Sequence, residues 1–206
     1  MKYASLDISH KRRSHNLIKN AILGYFNPKT KILDVGCASG IVAQLLKTKD
    51  NVDGIENNPR LAKIAQRFCR HVYKIDLNHL NPKLFRNRKY DIIVCADVIE
   101  HLEDDRSILL KLIHLLRPNG VMIFSFPNVA QLPIRLRLLV GQWDYQETGI
   151  LDSTHLHFYT KKTAARLLTN SGLRVIKIIA SGTIVSYFNF LPSLLAAQFI
   201  FITKKQ

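Results

Sequence analysis

The sequence predicts one α/β domain built on a doubly wound, largely parallel sheet. Short apolar runs alternate with helical patterns along most of the chain, which places helices on both faces of a parallel sheet. The first run, Ile32-Leu-Asp-Val35, opens into a small-residue loop from Gly36 to Gly40 and resumes as the apolar pattern Ile41, Val42, Leu45, Leu46. Such a succession is a buried strand, a tight loop and a helix with Ile41 and Leu45 on one face. The last two apolar runs have no helical pattern between them, which suggests an antiparallel addition at one edge of the sheet.

Strand-like runs recur at Lys31–Val35, Val52–Glu56, Val72–Ile75, Tyr90–Ala96 and Val121–Phe126. After the second, Asn58 and Pro59 supply an N-cap and a first-turn proline for a helix with Leu61, Ile64, Ala65 and Phe68 on one face. Ile108, Leu109, Leu112, Ile113 and Leu116 define another helix, stopped by Pro118-Asn119-Gly120. A third runs from about Lys161 to Asn170, with Gly172 just beyond its end. The stretch from Ile178 to Thr203 carries no charged residue and is long enough to cross a bilayer. Ser181-Gly182-Thr183, Asn189, Pro192 and Gln198 interrupt it, so it reads as two strands, Leu173–Ala180 and Gln198–Thr203, joined by an apolar loop. The whole chain, 1–206, reads as one domain. Residues 127–159 form a long connection of the kind that serves as a substrate-side lid.

With 206 residues and 47% hydrophobic content, the chain can bury a substantial core. Thirty Lys and Arg against fifteen Asp and Glu give a net charge of +15, which suits anionic surroundings such as nucleic acid, an acidic membrane surface or a phosphorylated substrate, and equally a merely soluble basic protein. The three cysteines, Cys37, Cys69 and Cys95, are odd in number and lack Cys-x-x-Cys spacing. They argue against a disulfide framework or a structural zinc site and fit a reduced, cytoplasmic compartment. Lys11, Arg12 and Arg13 are not followed by the apolar segment of a secretory signal.

Four successive strand ends carry acids: Asp34, Glu56, Asp76 and Asp97. Ligands of doubly wound sheets bind beyond these strand ends, and an acid roughly 20 residues after the first strand takes the hydroxyls of a ribose. Glu56 follows Asp34 by 22 residues. A dinucleotide site would show Gly-x-Gly-x-x-Gly around a pyrophosphate, whereas here Asp34 precedes the glycine loop and would repel phosphate. The acids instead suit a nucleoside that bears an amino group and no phosphate.

The segments Ile32-Leu-Asp-Val-Gly-Cys-Ala-Ser-Gly40, Gly54-Ile-Glu-Asn-Asn58, Ile75-Asp-Leu77, Tyr90-Asp-Ile-Ile-Val-Cys-Ala-Asp-Val-Ile-Glu-His-Leu102 and Leu116-Arg-Pro-Asn-Gly120 resemble, in order and spacing, the class I S-adenosylmethionine-dependent methyltransferases. The resemblance implies a Rossmann-like three-layer sandwich with a seven-stranded sheet in the order 3-2-1-4-5-7-6, the last strand antiparallel. It implies that S-adenosyl-L-methionine is the cofactor and S-adenosyl-L-homocysteine the product. Gly36, Cys37 and Gly40 would line the methionine moiety, and Asp34 would hold its amino group. Glu56, with Asn57 beside it, would grip the ribose; Asp76 and Leu77 would border the adenine; Asp97 and Val98 would lie near the sulfonium. Ala38 stands where the family usually has a middle glycine. Pro127-Asn-Val129, Arg135-x-Arg-Leu-Leu139, Gly149-Ile-Leu-Asp-Ser-Thr-His155 and His157-Phe-Tyr-Thr160 resemble a bacterial methyltransferase subgroup, some of whose members are linked to glycosyltransferases and surface polysaccharides.

Methyl transfer to a hydroxyl requires alignment and removal of a proton, and His101, His155 and His157 are the candidate bases. Packing of the loop or lid is the competing role for each. In an extended segment His155 and His157 would point to the same side. Asp97-x-x-Glu100-His101 resembles the Glu-x-x-Glu-His metal site of certain methyltransferases that act on catechol-like quinone precursors or on small RNAs. Asp97 is shorter than the Glu it replaces, and Glu100-His101 also occurs in metal-free relatives, so no metal ligand is assigned and Mg²⁺ stays an alternative. The expected activity is O-methylation of a small-molecule, glycan or lipid-linked acceptor. RNA methylation and a non-catalytic scaffold stand as alternatives. The basic stretch Pro133–Leu139 and the apolar loop Tyr187–Leu191 suit peripheral contact at the inner face of a membrane, or simple packing of the lid onto the sheet, or a homodimer contact.

Overall fold

A computed structural model describes residues 8–182 and 191–206. Its sheet has seven strands in the order β3-β2-β1-β4-β5-β7-β6, which is the order the resemblance implies. The strands are β1 (Ile32–Val35), β2 (Val52–Ile55), β3 (His71–Tyr73), β4 (Tyr90–Ala96), β5 (Leu116–Pro127), β6 (Leu173–Ser181) and β7 (Gln198–Lys205). Neighbours from β3 to β5 run parallel, and β7 lies antiparallel between β5 and β6. The uncharged stretch near the C-terminus therefore contributes the edge pair β6 and β7, and no described helix is long and apolar enough to cross a membrane.

Alternation along the central strands splits the core into two faces. Leu33, Ile93, Cys95, Phe124 and Phe201 point to one, where they meet Ile108 and Leu112 of α4 (Asp105–Leu115) and Leu168 of α6 (Lys161–Asn170). Ile32, Ile92, Val94, Ile123 and Ile200 point to the other. That face is covered by α1 (Ile8–Leu23), α2 (Ile41–Leu46) and α3 (Pro59–Ala65). Helix α5 (Leu132–Leu139) lies in the long connection, and the short α7 (Pro192–Leu195) precedes β7.

The structure refines several element boundaries. The sequence reading assigned no helix before β1, yet α1 buries Ile18, Ala21 and Ile22. Its apolar pattern covers only two turns behind a basic segment. In α2 the buried residues are Val42 and Ala43 rather than Ile41 and Leu45. Asn58 caps α3 by accepting from Arg60 N and Leu61 N, but the helix ends at Ala65 and Ile64 is exposed. The small Ala62 faces the sheet instead. Pro118-Asn119-Gly120 does not separate α4 from a later strand. β5 starts at Leu116, which pairs with Tyr90, and a bulge carries the register to Ile92 opposite Val121. A side chain at Gly120 would stand 2.9 Å from Asp91 O, so glycine is required at this bulge. The predicted loop Tyr187–Leu191 falls on residues 187–190, outside the described residues, apart from Leu191.

Candidate functional site

The glycine loop that follows β1 is built from left-handed residues. Gly36, Ala38 and Gly40 have φ of 69°, 47° and 82°. A Cβ on Gly36 would lie 2.7 Å from Val98 Cγ2, so this position cannot carry a side chain without displacing the opposite loop. Ala38 shows that the central position tolerates a methyl in the same region, at a cost of about 1 kcal/mol.

Beyond this loop lies a cavity of about 310 Å³ at the carboxyl ends of the strands. Its lining includes Gly36, Glu56, Asn57, Asp76, Leu77, Asp97, Val98 and His101. Glu56 is 8% exposed and accepts hydrogen bonds from Ala38 N at 3.0 Å and Asn58 N at 2.7 Å. These bonds fix the carboxylate while each oxygen keeps a lone pair for a ligand. Asp76 stands three residues past β3 and caps a 3-10 turn through Asn78 N, which places Leu77 at the rim.

Three of the residues assigned to the cofactor lie outside this lining. Asp34 sits inside β1 and is 3% exposed. Its Oδ2 is buried with no hydrogen-bond partner among the described residues. Burial, and then the negative charge of Glu56, push its carboxyl up to about 8. The Cys37 thiol turns into the core against Gly54, where an added Cβ would stand 2.5 Å from Sγ, so only the Cys37 backbone belongs to the loop. Gly40 caps α2 and packs on α3, with Ala65 Cα 3.3 Å from where its side chain would begin.

Asp97 follows β4 with φ of 54°, an uncommon conformation for a non-glycine residue. Its amide donates to Ser125 Oγ at 3.0 Å, and Ser125 Oγ donates back to Oδ1 at 2.8 Å. Gln198 Nε2 donates to the same Oδ1. Ser125 and Gln198 went unread in the sequence because nothing in either strand's apolar pattern marks them as partners of Asp97.

A second cavity, of about 340 Å³, adjoins this point. Asp97 and His101 line both cavities, and Glu100, His155 and Gln198 line the second. The histidine tautomers follow from their partners. His155 Nδ1 lies 3.1 Å from Ile150 O, and His101 Nδ1 lies 3.1 Å from Thr154 O. A carbonyl only accepts, so each Nδ1 carries a proton, and in the neutral ring the lone pair falls on Nε2. The rings are 4.7 Å apart. Burial, and then His101, hold His155 below the usual imidazole range.

Glu100 completes the group. It is fully buried, neither carboxylate oxygen has a partner among the described residues, and burial followed by Asp97 pushes its carboxyl well above the ordinary range. One ligand atom each from Glu100, His101 and His155 fall within 4.8 Å of one another. A bare buried carboxylate beside two imidazole lone pairs fits a divalent cation or a bound proton.

His157 does not join them. A bend at Leu156 breaks the alternation expected of an extended segment, and His157 lines neither cavity. Its Nε2 is buried without a partner among the described residues. Its amide, with that of Leu156, donates to Glu100 O, so the segment is tied to the turn that bears Glu100 and His101. The base of the long connection is closed by a bridge between Asn128 and Tyr159, and the Tyr159 hydroxyl donates to Asp105.

Residues 9–178 match the family described as a methyltransferase domain. The ubiquinone biosynthesis O-methyltransferase of Rickettsia canadensis is 28% identical over 153 residues, covering 71% of this chain. The chain spans only 64% of that relative's length. Among solved structures, the magnesium protoporphyrin IX methyltransferase of Synechocystis with bound S-adenosylhomocysteine superposes with a TM-score of 0.69 at 15% identity, over 96% of this chain and 84% of that one. The small RNA methyltransferase HEN1 gives 0.70 at 17% identity, over 100% of this chain and 26% of that one. These two share the fold. The family match covers most of the chain, and the chain belongs to the methyltransferase-domain family.

Proposed function

We propose that this protein transfers a methyl group from S-adenosylmethionine to a hydroxyl of a small-molecule, glycan or lipid-linked acceptor. The observation that carries this reading is the contact between the two cavities at Asp97 and His101. One cavity has the acids and the glycine loop of a nucleoside site, and the other has the proton-accepting groups.

S-adenosylmethionine, when bound, supplies an electrophilic methyl on a sulfonium. Glu56 would take the ribose hydroxyls, Asp76 and Leu77 the adenine, and Gly36 the methionine chain. The unpartnered Asp34 Oδ2 is the group to which an ammonium, directly or through water, would restore a counter-charge. On the acceptor side, the Nε2 lone pair of His101 or His155 takes the hydroxyl proton as the oxygen attacks. The rigid Asp97, held by Ser125 and Gln198, keeps the junction in register.

A second version of the acceptor chemistry rests on Glu100. Its carboxylate, with His101 and His155, would hold a divalent cation that lowers the pKa of the acceptor hydroxyl. Support for a hydroxyl acceptor comes from the O-methyltransferase relative. RNA is less favoured, because the resemblance to the RNA enzyme is one of fold and basic residues are spread along the whole chain.

Calorimetry with S-adenosylmethionine and S-adenosylhomocysteine tests the donor half, and absence of binding by the folded protein would overturn the reading. Methyl transfer to a panel of catechols, glycans and prenylated phenols, with and without Mg²⁺ after chelation, tests the acceptor half. Activity restored by Mg²⁺ in the wild type but not in Glu100→Gln selects the cation version. Activity indifferent to chelator selects the histidine base.

A further inference from the structure

We propose that α5 is an interfacial helix that seats the mouth of the second cavity on an anionic membrane surface. This deepens the acceptor reading above by naming where the acceptor is met, and it rests on that reading only for the acceptor's chemistry.

The helix is assembled with its apolar side outward. A residue advances about 100° around a helix, so Leu132, Leu136, Leu139 and Val140 share one side and Ile134 lies opposite. Ile134 is the buried residue, at 8% exposure. Leu136 is 54% exposed, Leu139 80% and Val140 71%, and Leu138, on the Ile134 side, is also exposed at 55%. A helix on a globular surface ordinarily turns such a stripe to the core. Arg135 and Arg137 flank the stripe, both exposed, and the helix contains no acid. Apolar residues facing outward between basic flanks are the arrangement of helices that lie in a membrane interface.

Charge selects the occupant. A second copy of a chain with net charge +15 would bring like charge to the patch, whereas an anionic bilayer supplies both an apolar layer and a complementary surface. Continuity with the site selects the purpose. The connection that bears α5 also supplies Gly149, Ile150 and His155 to the second cavity, and its ends are pinned together at Asn128 and Tyr159. A helix docked on the bilayer thereby tethers there the connection that walls the cavity, where an amphiphilic acceptor is concentrated.

Flotation with phosphatidylcholine vesicles, with and without phosphatidylglycerol, tests the proposal. The wild type should float with the anionic vesicles and be released by salt. Leu136→Glu/Leu139→Glu should weaken partition about tenfold or more, and Arg137→Gln about fivefold. Both variants should keep the wild-type melting profile and cofactor affinity, since these side chains touch neither cavity. Equal flotation of wild type and double variant, or no preference for anionic vesicles, overturns the proposal. So does self-association of the wild type that the double variant loses in sedimentation velocity, because the stripe would then be covered by a second copy. Flotation requires neither turnover nor cofactor, so its failure leaves the methyl-transfer reading intact. Failure to bind S-adenosylmethionine would strike that reading and leave the flotation result standing.

Discussion

Around the first cavity the polar groups are largely satisfied in the protein itself. Glu56 accepts from two loop amides, Asp76 caps its own turn and Asn58 caps α3. Around the second cavity the reverse holds. Among the described residues neither oxygen of Glu100 has a partner, and His101 and His155 each spend one nitrogen on a carbonyl and leave the other open. A nucleoside cradle can be assembled from local turns, whose hydrogen bonds hold it in shape before the ligand arrives. A site that moves a proton or holds a cation must leave groups unsatisfied, and only surrounding packing keeps them there. Asp34 is the exception: its Oδ2 has no partner among the described residues and, under the proposed function, would take the counter-charge of an ammonium.

The largest expected effect separates the two halves. His155→Ala should lower kcat by about 10²–10⁴ while changing cofactor affinity less than twofold, as read by single-turnover rates and calorimetry, and His101→Ala, at a residue that also lines the donor cavity, should lower kcat similarly. If both variants kept full activity under every metal condition, the acceptor half would not be where these residues are.

The next effect is a linkage to pH through Asp34. Its carboxyl is held up to about 8 in the free protein, against an ordinary 3.8. Taking up an ammonium requires the ionised form, so binding below pH 8 should release a proton. Affinity should rise up to about tenfold per pH unit between pH 6 and 8 and then level off. Calorimetry in buffers of different ionisation enthalpy reads this directly. The same shift has the opposite sign for folding. A raised folded-state pKa gives stability that is complete below about pH 4 and is lost as pH rises toward 8. Asp34→Asn should lack that slope in thermal melts and should bind the cofactor poorly. A wild type whose affinity did not change between pH 6 and 8 would remove Asp34 from the donor half.

The smallest effect concerns Ala38. Ala38→Gly relieves a left-handed alanine worth about 1 kcal/mol, offset by the greater freedom of glycine in the unfolded chain. Tm and cofactor affinity should both stay close to wild type. A large change in affinity would mean that the methyl itself touches the ligand.

Glu56, Asp76 and Asp97 are legible from residue type and spacing, whereas Asn57, Leu77 and Val98 follow only from the family resemblance. All six line the first cavity, because residues just past parallel strands gather at the carboxyl end of the sheet. Cys37 and Gly40 were read as ligand contacts because they belong to the loop, yet one thiol faces the core and one glycine serves helix packing. Neither pattern nor spacing distinguishes a loop residue's backbone from its side chain. The acceptor half was half-legible. His101 and His155 were named, but their pairing, the exclusion of His157 by the bend at Leu156, and the support of Asp97 by Ser125 and Gln198 depend on contacts between residues far apart in sequence.

By itself, then, the sequence determined the alternation of strands with helices and the row of acids at the strand ends, because these follow from periodicity and turn chemistry, while the strand order came with the family resemblance. Tertiary structure alone decided the rest. Burial raised Asp34 and left Glu100 bare beside two imidazoles. Docking of the long connection brought His155 to His101 from 54 positions away. Packing of Ile134 inward turned Leu136 and Leu139 of α5 to the outside. Each depends on what lies opposite a residue in space, and nothing in a residue's own neighbourhood along the chain records that.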